Sequence, residues 1–331
     1  MNAFLRLVLV LALACHVQCA WSQSHNGSRI LKLNHTDTPS GARHLAAELF
    51  AAKVEEYTRG RYRVMVFHSG QLGNDPQSIK AVSEGKLDFT TSATGSFASL
   101  VPELNLTALP YLVENYEQGW RFYDESPWMR QQFDKLPAKG LRHLATWEAG
   151  FRSFTTRFAF AAPADAKGKK MRVFPNDMIK WIMESVGFEP VVLPVTEVYA
   201  AMAQGRVDGQ ENPIDTILAL RFHEVAPNVV LTEHVYSPLP FVVSENLWRA
   251  LTGAEREQFA RAAREAGVVS RRLVRDADQV HLQAMRSVGA TVTRPDRTAF
   301  RLAMQAVYPR ARAVYGAEVD AILTDARNAN R

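Results

Sequence analysis

Two stretches decide the architecture, AVSEGKLDF (81–89) and AMAQGRVDG (201–209). Both run Ala, three residues, Gly, a basic residue, an aliphatic residue, Asp, and they stand 120 residues apart. Each opens with helical spacing and stops at a glycine, the residue that takes up left-handed backbone at a helix end without steric cost. A strand pattern precedes each helix, YRVMVF (62–67) in one case and PVVL (190–193) in the other, and a second short strand follows each, such as LDFTT (87–91). Two β-α-β units so far apart predict two α/β lobes of related build and not one continuous sheet. The competing explanation is convergence, since glycine is an ordinary helix stop.

Outward from these units, ILKLN (30–34) reads as a strand and residues 40–58 as an amphipathic helix starting near Ser40. The turn-rich HSGQLGND leads to a helix over 76–84 opened by Pro76, a residue suited to a first helical turn. GFRSFTT (150–156) and SPLPFVVSE (237–245) are extended runs placed to cross between lobes. A long helix then starts at Thr252, with Glu255 three residues on as a capping box, and continues to about Ser287 with Phe259, Ala263, Leu273, Val280 and Met285 among its apolar positions. At 1.5 Å per residue it extends ~50 Å, enough to lie across both lobes. The expected fold is α/β, a two-lobed hinged clamp with hinge strands, a cleft between the lobes and a long lobe-spanning helix. Lobe I is expected over 23–149 and 238–277, and lobe II over 150–237 and 278–331.

The N-terminus reads as a secretory signal over 1–22. Arg6 supplies its charge, LVLVLALAC (7–15) its apolar segment, and Ala20-Trp21-Ser22 the small residues of a cleavage site, leaving Gln23 as the mature start. Cys15 after Ala14 raises a lipid anchor as the alternative, but Ala12-Leu13 fits a lipobox poorly. Both cysteines, Cys15 and Cys19, fall inside the signal, so the mature chain must hold together through its core. The sequons at Asn26, Asn34 and Asn105 are read as chance. Without Arg6 the formal charge falls from +5 to +4. The bases are scattered, as in Arg261, Arg264, Arg271, Arg272 and Arg275 along one helix, with no aromatic-interleaved stripe, so no nucleic-acid partner is expected.

Catalytic signatures are missing. GxGxxG, Walker A, GxSxG and HExxH do not occur, and the SxxK match at Ser83–Lys86 lacks its SDN and KTG partners. The nine histidines hold no pair at metal-ligand spacing on one helix face; His35 and His68 are placed at strand ends facing the expected cleft. No cofactor or metal is expected.

The informative segment is 165–213. Lys169, Lys170 and Arg172 alternate with Met171 and Val173 as on a strand, which puts Arg172 on one face with Lys170 and Phe174. On pattern alone an ordinary surface arginine is an equal reading. Asp208-Gly-Gln-Glu-Asn-Pro is too polar for a strand buried on both faces and fits a strand leaving the sheet at a cleft edge, where open α/β sheets bind ligands.

At these residues the chain resembles the solute-binding subunits of the TRAP (tripartite ATP-independent periplasmic) transporters. The resemblance runs over essentially the whole mature chain. Its markers are SGQLGND (69–75), LPYL (109–112), GFR (150–152), GKKMRV (168–173), EVYAAMAQGRVDGQENP (197–213) and HVYSPLPFVVSE (234–245), specific in their order and spacing taken together. It implies a clamp like the periplasmic binding proteins and a periplasmic, non-enzymatic protein that captures a small organic acid and delivers it to membrane permease subunits; from the two-lobed build, a monomer is expected. It implies that Arg172 clamps the ligand carboxylate, that Asn212 contacts the same region, that Arg152 is a second basic position, and that Asp75 reaches the far end of the ligand from lobe I. Ala93 departs from the sialic-acid-binding members, where a glutamate is expected. Phe174, Trp147, Phe97 and Tyr236 are candidate walls. A planar guanidinium suits the clamp because it matches a carboxylate bidentately and desolvates more readily than an ammonium. Two other readings stand beside it: a sensor presenting the same clamp to a receptor kinase, and a secreted α/β hydrolase. Among ligands, a C4-dicarboxylate would use Arg152 and Arg172 together, an aromatic or keto acid the aromatic walls, and a sugar acid the polar partners of lobe I.

Overall fold

The computed structural model describes residues 27–330. The signal segment, with Cys15, Cys19 and the Ser22/Gln23 junction, lies outside the described residues. Eleven strands appear in chain order: β1 (Arg29–Asn34), β2 (Tyr62–Phe67), β3 (Phe89–Thr91), β4 (Leu141–Trp147), β5 (Phe151–Thr156), β6 (Lys170–Val173), β7 (Glu189–Val192), β8 (Gly209–Pro213), β9 (Asn228–Tyr236), β10 (Leu239–Ser244) and β11 (Thr291–Thr293). They form two sheets, one ordered β2-β1-β3-β10-β4 and the other β11-β9-β5-β8-β6-β7. Strands β1 to β4 build the first sheet and β5 to β9 the second; β10 returns to the first and β11 to the second. The chain therefore passes between sheets three times: at Glu148–Gly150, at Ser237–Pro238, and along the helix Gly253–Ser287.

The two predicted units fold alike. Gly85 and Gly205 both take left-handed backbone, at φ 72° and 71°. Lys86 N–H donates to the Ala81 carbonyl at 2.8 Å, and Arg206 N–H to the Ala201 carbonyl at 2.8 Å, the same helix-ending bond in each. The aspartate three residues on then ties each helix exit to the strand that precedes its unit in the chain and lies between the unit's two strands in the sheet. Asp88 accepts from Lys32 N–H on β1 at 2.7 Å, and Asp208 from Lys170 N–H on β6 at 2.8 Å. The shared motif thus encodes one device twice, a glycine stop followed by a carboxylate staple.

The local expectations hold with small shifts. The first helix covers Ala42–Tyr57 and is capped at Gly41 instead of Ser40. The second covers Asp75–Ser83, with Asn74 and Gln77 forming a capping box. The long helix is 35 residues, opened by the Thr252–Glu255 box as read. Phe259, Ala263 and Met285 are buried on it, whereas Val280 is 67% exposed. GFRSFTT and SPLPFVVSE cross only at their starts, at Gly150 and Ser237–Pro238; the rest of each run is a strand within one sheet, β5 and β10.

The first sheet packs its aromatic residues between the helices Ala42–Tyr57 and Gly253–Ser287. Phe50, Phe89, Phe241 and Phe259 meet edge-on or stacked, and Trp147 stacks on Phe241 with ring centres 4.3 Å apart. The link between sheets is itself pinned. Glu148 is buried and accepts from Tyr236 Oη at 2.6 Å, Trp120 Nε1 at 2.8 Å and Gly150 N–H at 2.8 Å, which joins the first crossing to the second. The C-terminal helix Glu318–Asn328 packs on the helices Tyr116–Glu125 and Pro127–Phe133. Asn34 and Asn105 are buried, as suits sequons that arose by chance. Among the described residues no helix is long and apolar enough to cross a membrane.

Candidate functional site

A cleft opens between the sheets at the ends of β1, β5, β6 and β8. Asp75, Arg152, Arg172, Phe174 and Asn212 all line it, joined by Thr36, Asp37, Arg43, Ala93, Ser96, Thr216 and Ser237. The lobes meet across it directly: Ala42 N–H donates to Asp215 Oδ2 at 3.3 Å, Thr38 Oγ1 to the Ala219 carbonyl at 3.2 Å, and Asn176 Nδ2 to the Gly95 carbonyl at 3.2 Å. The Gly95 contact needs a glycine, because a Cβ there would stand 2.3 Å from Asn176 Nδ2.

Arg172 projects from β6, between β7 and β8. Its Nε donates to the Leu193 carbonyl at 2.9 Å, which fixes the plane of the guanidinium. Among the described residues no acceptor lies within hydrogen-bonding distance of either terminal nitrogen, and no carboxylate pairs with it, although the residue is only 2% exposed. Burial accordingly pulls its pKa down to about 10, against the attraction of Glu211 and with the repulsion of Arg152. An unmatched buried cation of this kind is costly unless something anionic completes it.

Arg152 is in the opposite condition. It projects from β5 and grips Glu211 with Nε and Nη2, the latter at 2.7 Å to Oε1 and 2.7 Å to the Glu211 carbonyl, while Nη1 reaches Ser237 Oγ at 3.2 Å. Its guanidinium also lies 5.1 Å from the Phe174 ring centre. Burial would raise the Glu211 carboxyl, but the Arg152 charge together with His234, 3.4 Å away, holds it down at about 2. The pair is a neutral structural unit.

Strand β8 corrects the expectation of a polar cleft-edge strand. It lies inside the sheet between β5 and β6, and all five of its residues are buried. Its polar side chains find partners within the sheet: Glu211 in Arg152, Gln210 in Thr155 Oγ1, and Asn212 in part, through one Nδ2 N–H to Gln210. Only its C-terminal end, Asn212 and Pro213, reaches the cleft.

Two candidate walls are elsewhere. Trp147 is fully buried in the first-sheet core, donating Nε1 to the Ala263 carbonyl at 3.0 Å, and Phe97 is fully buried among the apolar residues under the helix Asp75–Ser83. Strong packing, not ligand contact, accounts for both. Tyr236 adjoins a smaller hollow shared with Arg152 and Phe174, but its hydroxyl is committed to Glu148. His35 and His68 flank His44 in a cluster of rings beside the cleft, one pair tilted and the other edge-on, with His35 Nε2 lying 3.2 Å from His44 Nδ1. Burial and neighbouring Arg43 hold His35 neutral, with its pKa at about 2.

The residues not anticipated at the cleft are Thr36, Asp37, Arg43, Ser96, Thr216 and Ser237, together with Glu211 behind it. Asp75 accepts from Ser92 Oγ at 2.8 Å and from Thr36 Oγ1 at 3.2 Å, and Arg43 Nη1 stands 3.8 Å from it. Asp37 and Asp215 are buried on facing lobes, and burial raises each to about 6. A lone arginine or aspartate on a helix has no periodic signal; HTD after a strand end was the one available cue. A larger hollow lies outside the cleft beside the long helix, but its Arg142, Arg264 and Arg271 are already paired with Glu245, Glu257 and Asp124.

Comparisons with known proteins agree with this geometry. The profile of bacterial extracellular solute-binding protein family 7 (DctP) matches residues 33–313. The sugar-acid-binding protein of Advenella mimigardefordensis, solved with galactonate, superposes with a TM-score of 0.88 at 30% identity, covering 91% of this chain and 99% of that one. A TRAP periplasmic solute-binding protein of Polaromonas sp. JS666, solved with D-erythronate, gives 0.86 at 32% identity over 89% of this chain and 98% of its own. The 2,3-diketo-L-gulonate-binding periplasmic protein of Escherichia coli is 31% identical over 85% of this chain and 86% of its own length. With the profile spanning most of its length and the two-lobed fold shared throughout, the chain belongs to family 7 of the bacterial extracellular solute-binding proteins, the DctP family of TRAP solute-binding subunits.

Proposed function

We propose that this protein closes its lobes on one small organic carboxylate, held by Arg172 and Asn212, and passes it to the membrane subunits of a TRAP transporter. One observation carries the reading: Arg172 is buried and locked in plane by Leu193, yet its two terminal nitrogens have no acceptor among the described residues. A carboxylate entering there gains two parallel charge-assisted bonds from a group already oriented to give them. Asn212, with one N–H committed to Gln210, keeps a second N–H for the same carboxylate. Phe174 and Ala93 form the side walls, and Asp75 faces the far end.

The reading extends to the rest of the chain. The signal is removed between Ser22 and Gln23, and the mature protein acts in the periplasm as a monomer without catalysing a reaction. Lobe I comprises 23–149 and 238–277, and lobe II 150–237 and 278–331, a division supported by sheet membership; the helix Glu318–Asn328 would then be a lobe II element packed on lobe I helices.

A thermal-shift screen of organic acids identifies ligands, because ~100 Kd of ligand adds about 2.7 kcal/mol of stability. Calorimetry then tests the anchor. Arg172→Ala removes the partner of a desolvated carboxylate and is expected to cost ~3–5 kcal/mol, at least ~10²–10³-fold in Kd. Arg172→Lys recovers little, since an ammonium lacks the planar fork. Affinity near wild type for Arg172→Ala would defeat the proposal.

A further inference from the structure

Three arginines face the cleft, Arg43, Arg152 and Arg172, and what neutralises each decides how much negative charge an occupant can bring. Arg152 is matched by Glu211 in a two-pronged pair. Arg43 lies 3.8 Å from Asp75 and shares its wall with Asp37. Arg172 alone has no carboxylate partner among the described residues. The remaining charged group at the lobe contact, Asp215, adds negative charge and not positive. One guanidinium is therefore open, and it answers one carboxylate. A second carboxylate at the far end would meet Asp75 and Asp37, two carboxylates that the single Arg43 between them does not balance, and like charges repel more strongly as the lobes close and water leaves.

That same wall is well furnished for hydroxyl groups. The Asp75 side chain is 22% exposed, and its oxygens accept only from Ser92 and Thr36, which leaves lone pairs pointing to no protein donor. Ser96 also lines the cleft, and Thr216 borders it from the facing lobe. Ser237 accepts from Arg152 and so retains its own O–H to donate. An occupant without hydroxyls would bury these groups unpaired, a loss that polar sites use to reject apolar analogues.

We infer that the cleft selects a polyhydroxylated monocarboxylate, of the aldonate type, with its carboxylate on Arg172 and a hydroxyl donating to Asp75, and that Asp75 is the residue that turns dicarboxylates away. This rests on the reading of Arg172 as carboxylate anchor. It sets aside the dicarboxylate arrangement in which Arg152 and Arg172 each hold one end, because Arg152 is already occupied.

The test is calorimetry on the mature protein with probes matched in carbon number: 2,3,4-trihydroxybutanoate (both diastereomers) against succinate, and galactonate against galactarate. At one chain length or both, the hydroxy monoacid is expected to bind at least about 100-fold more tightly than its diacid. Asp75→Asn, with its unliganded melting temperature checked, should narrow that ratio about 10-fold or more, weakening the monoacid and strengthening the diacid. A diacid that binds as tightly as the monoacid, through Arg172, overturns this inference and leaves the carboxylate anchor standing. An unchanged ratio in Asp75→Asn overturns the role of Asp75. Absence of Arg172-dependent binding by every probe overturns the anchor and the inference together. The wild-type ratio needs no variant, so a misfolded Asp75→Asn would not shield the claim.

Discussion

The two β-α-β units are built on one plan yet treat one position in opposite ways. Lys32 in lobe I and Lys170 in lobe II each donate a backbone N–H to the stapling aspartate, so two residues on, Asn34 and Arg172 are counterparts. Their registers agree: Asn34 stands opposite Thr90 on β3, and Arg172 opposite Gln210 on β8. Asn34 is fully buried and spends its whole side chain on its own lobe, donating to the Gly73 carbonyl at 2.9 Å and Ser78 Oγ at 2.7 Å and accepting from Leu72 N–H at 3.1 Å. Arg172 makes one bond to its own lobe and leaves two nitrogens unmatched. One copy of the unit closes its polar accounts internally and serves as scaffold; the other is left incomplete and can be completed only from the cleft.

Arg152 sharpens the lesson within lobe II. Two buried arginines border the same cleft, but Glu211 completes only one of them. Burial plus positive charge does not mark a ligand anchor; burial without a partner does. The largest expected effect follows from this. Glu211→Ala strands the Arg152 charge and should destabilise the fold by ~3–5 kcal/mol in denaturant unfolding. Because the folded Glu211 pKa is depressed to about 2, its contribution is present above the unfolded value of 4.5 and is lost as pH falls towards 2. Replacing Arg152 and Glu211 together by leucine should cost less than Glu211→Ala alone; a larger cost would mean that the pair is not a neutral unit.

Next in size is the contrast between the counterparts. Asn34→Ala forfeits three hydrogen bonds, two of them to backbone groups of the 72–73 turn, for ~2–3 kcal/mol of stability. Arg172→Asn, which gives lobe II the residue of lobe I, should leave the unliganded melting temperature unchanged or raised while abolishing tight binding. Equal destabilisation by the two substitutions would erase the distinction between scaffold and site.

The contact between the lobes adds a pH dependence. Burial raises Asp37 and Asp215 from 3.8 to about 6; Arg43 and His44 oppose this at Asp37, and Arg43 and the Ala42 N–H at Asp215, while Asp278 reinforces it and His281 lies 3.8 Å from Asp215. A raised carboxyl stabilises the folded state below its unfolded value near 3.8, and that stability is lost as pH rises through about 6. Asp37→Asn should therefore raise the melting temperature at pH 8 by about 2–5 °C, a gain that holds until pH falls to about 6 and then shrinks towards pH 4. A gain constant with pH would show that the carboxyl is not ionised against burial there.

The smallest effect tests the likeness of the units. Asp88→Ala and Asp208→Ala each remove one staple and should each cost ~1 kcal/mol, matched to within ~0.5 kcal/mol. A markedly larger cost in one lobe would mean that the shared motif has diverged in role as well as in place.

Sequence by itself determined the repeated unit, the glycine stops at Gly85 and Gly205, the Thr252 cap of the long helix and the placing of Arg172 on a strand. These are local properties, written in spacing and in the conformational limits of single residues. The tertiary structure alone decided that Arg152 is spoken for and Arg172 is not, since Glu211 lies 59 residues from Arg152 and meets it only when β5 and β8 pair. It also decided that the polar strand β8 is central, that Trp147 and Phe97 are core, and that Asp75 shares a wall with Asp37 and Arg43. The physical reason is common to all of these. Periodicity states which way a side chain faces, but the worth of a buried charge or ring depends on what covers it, and the covering groups come from distant parts of the chain.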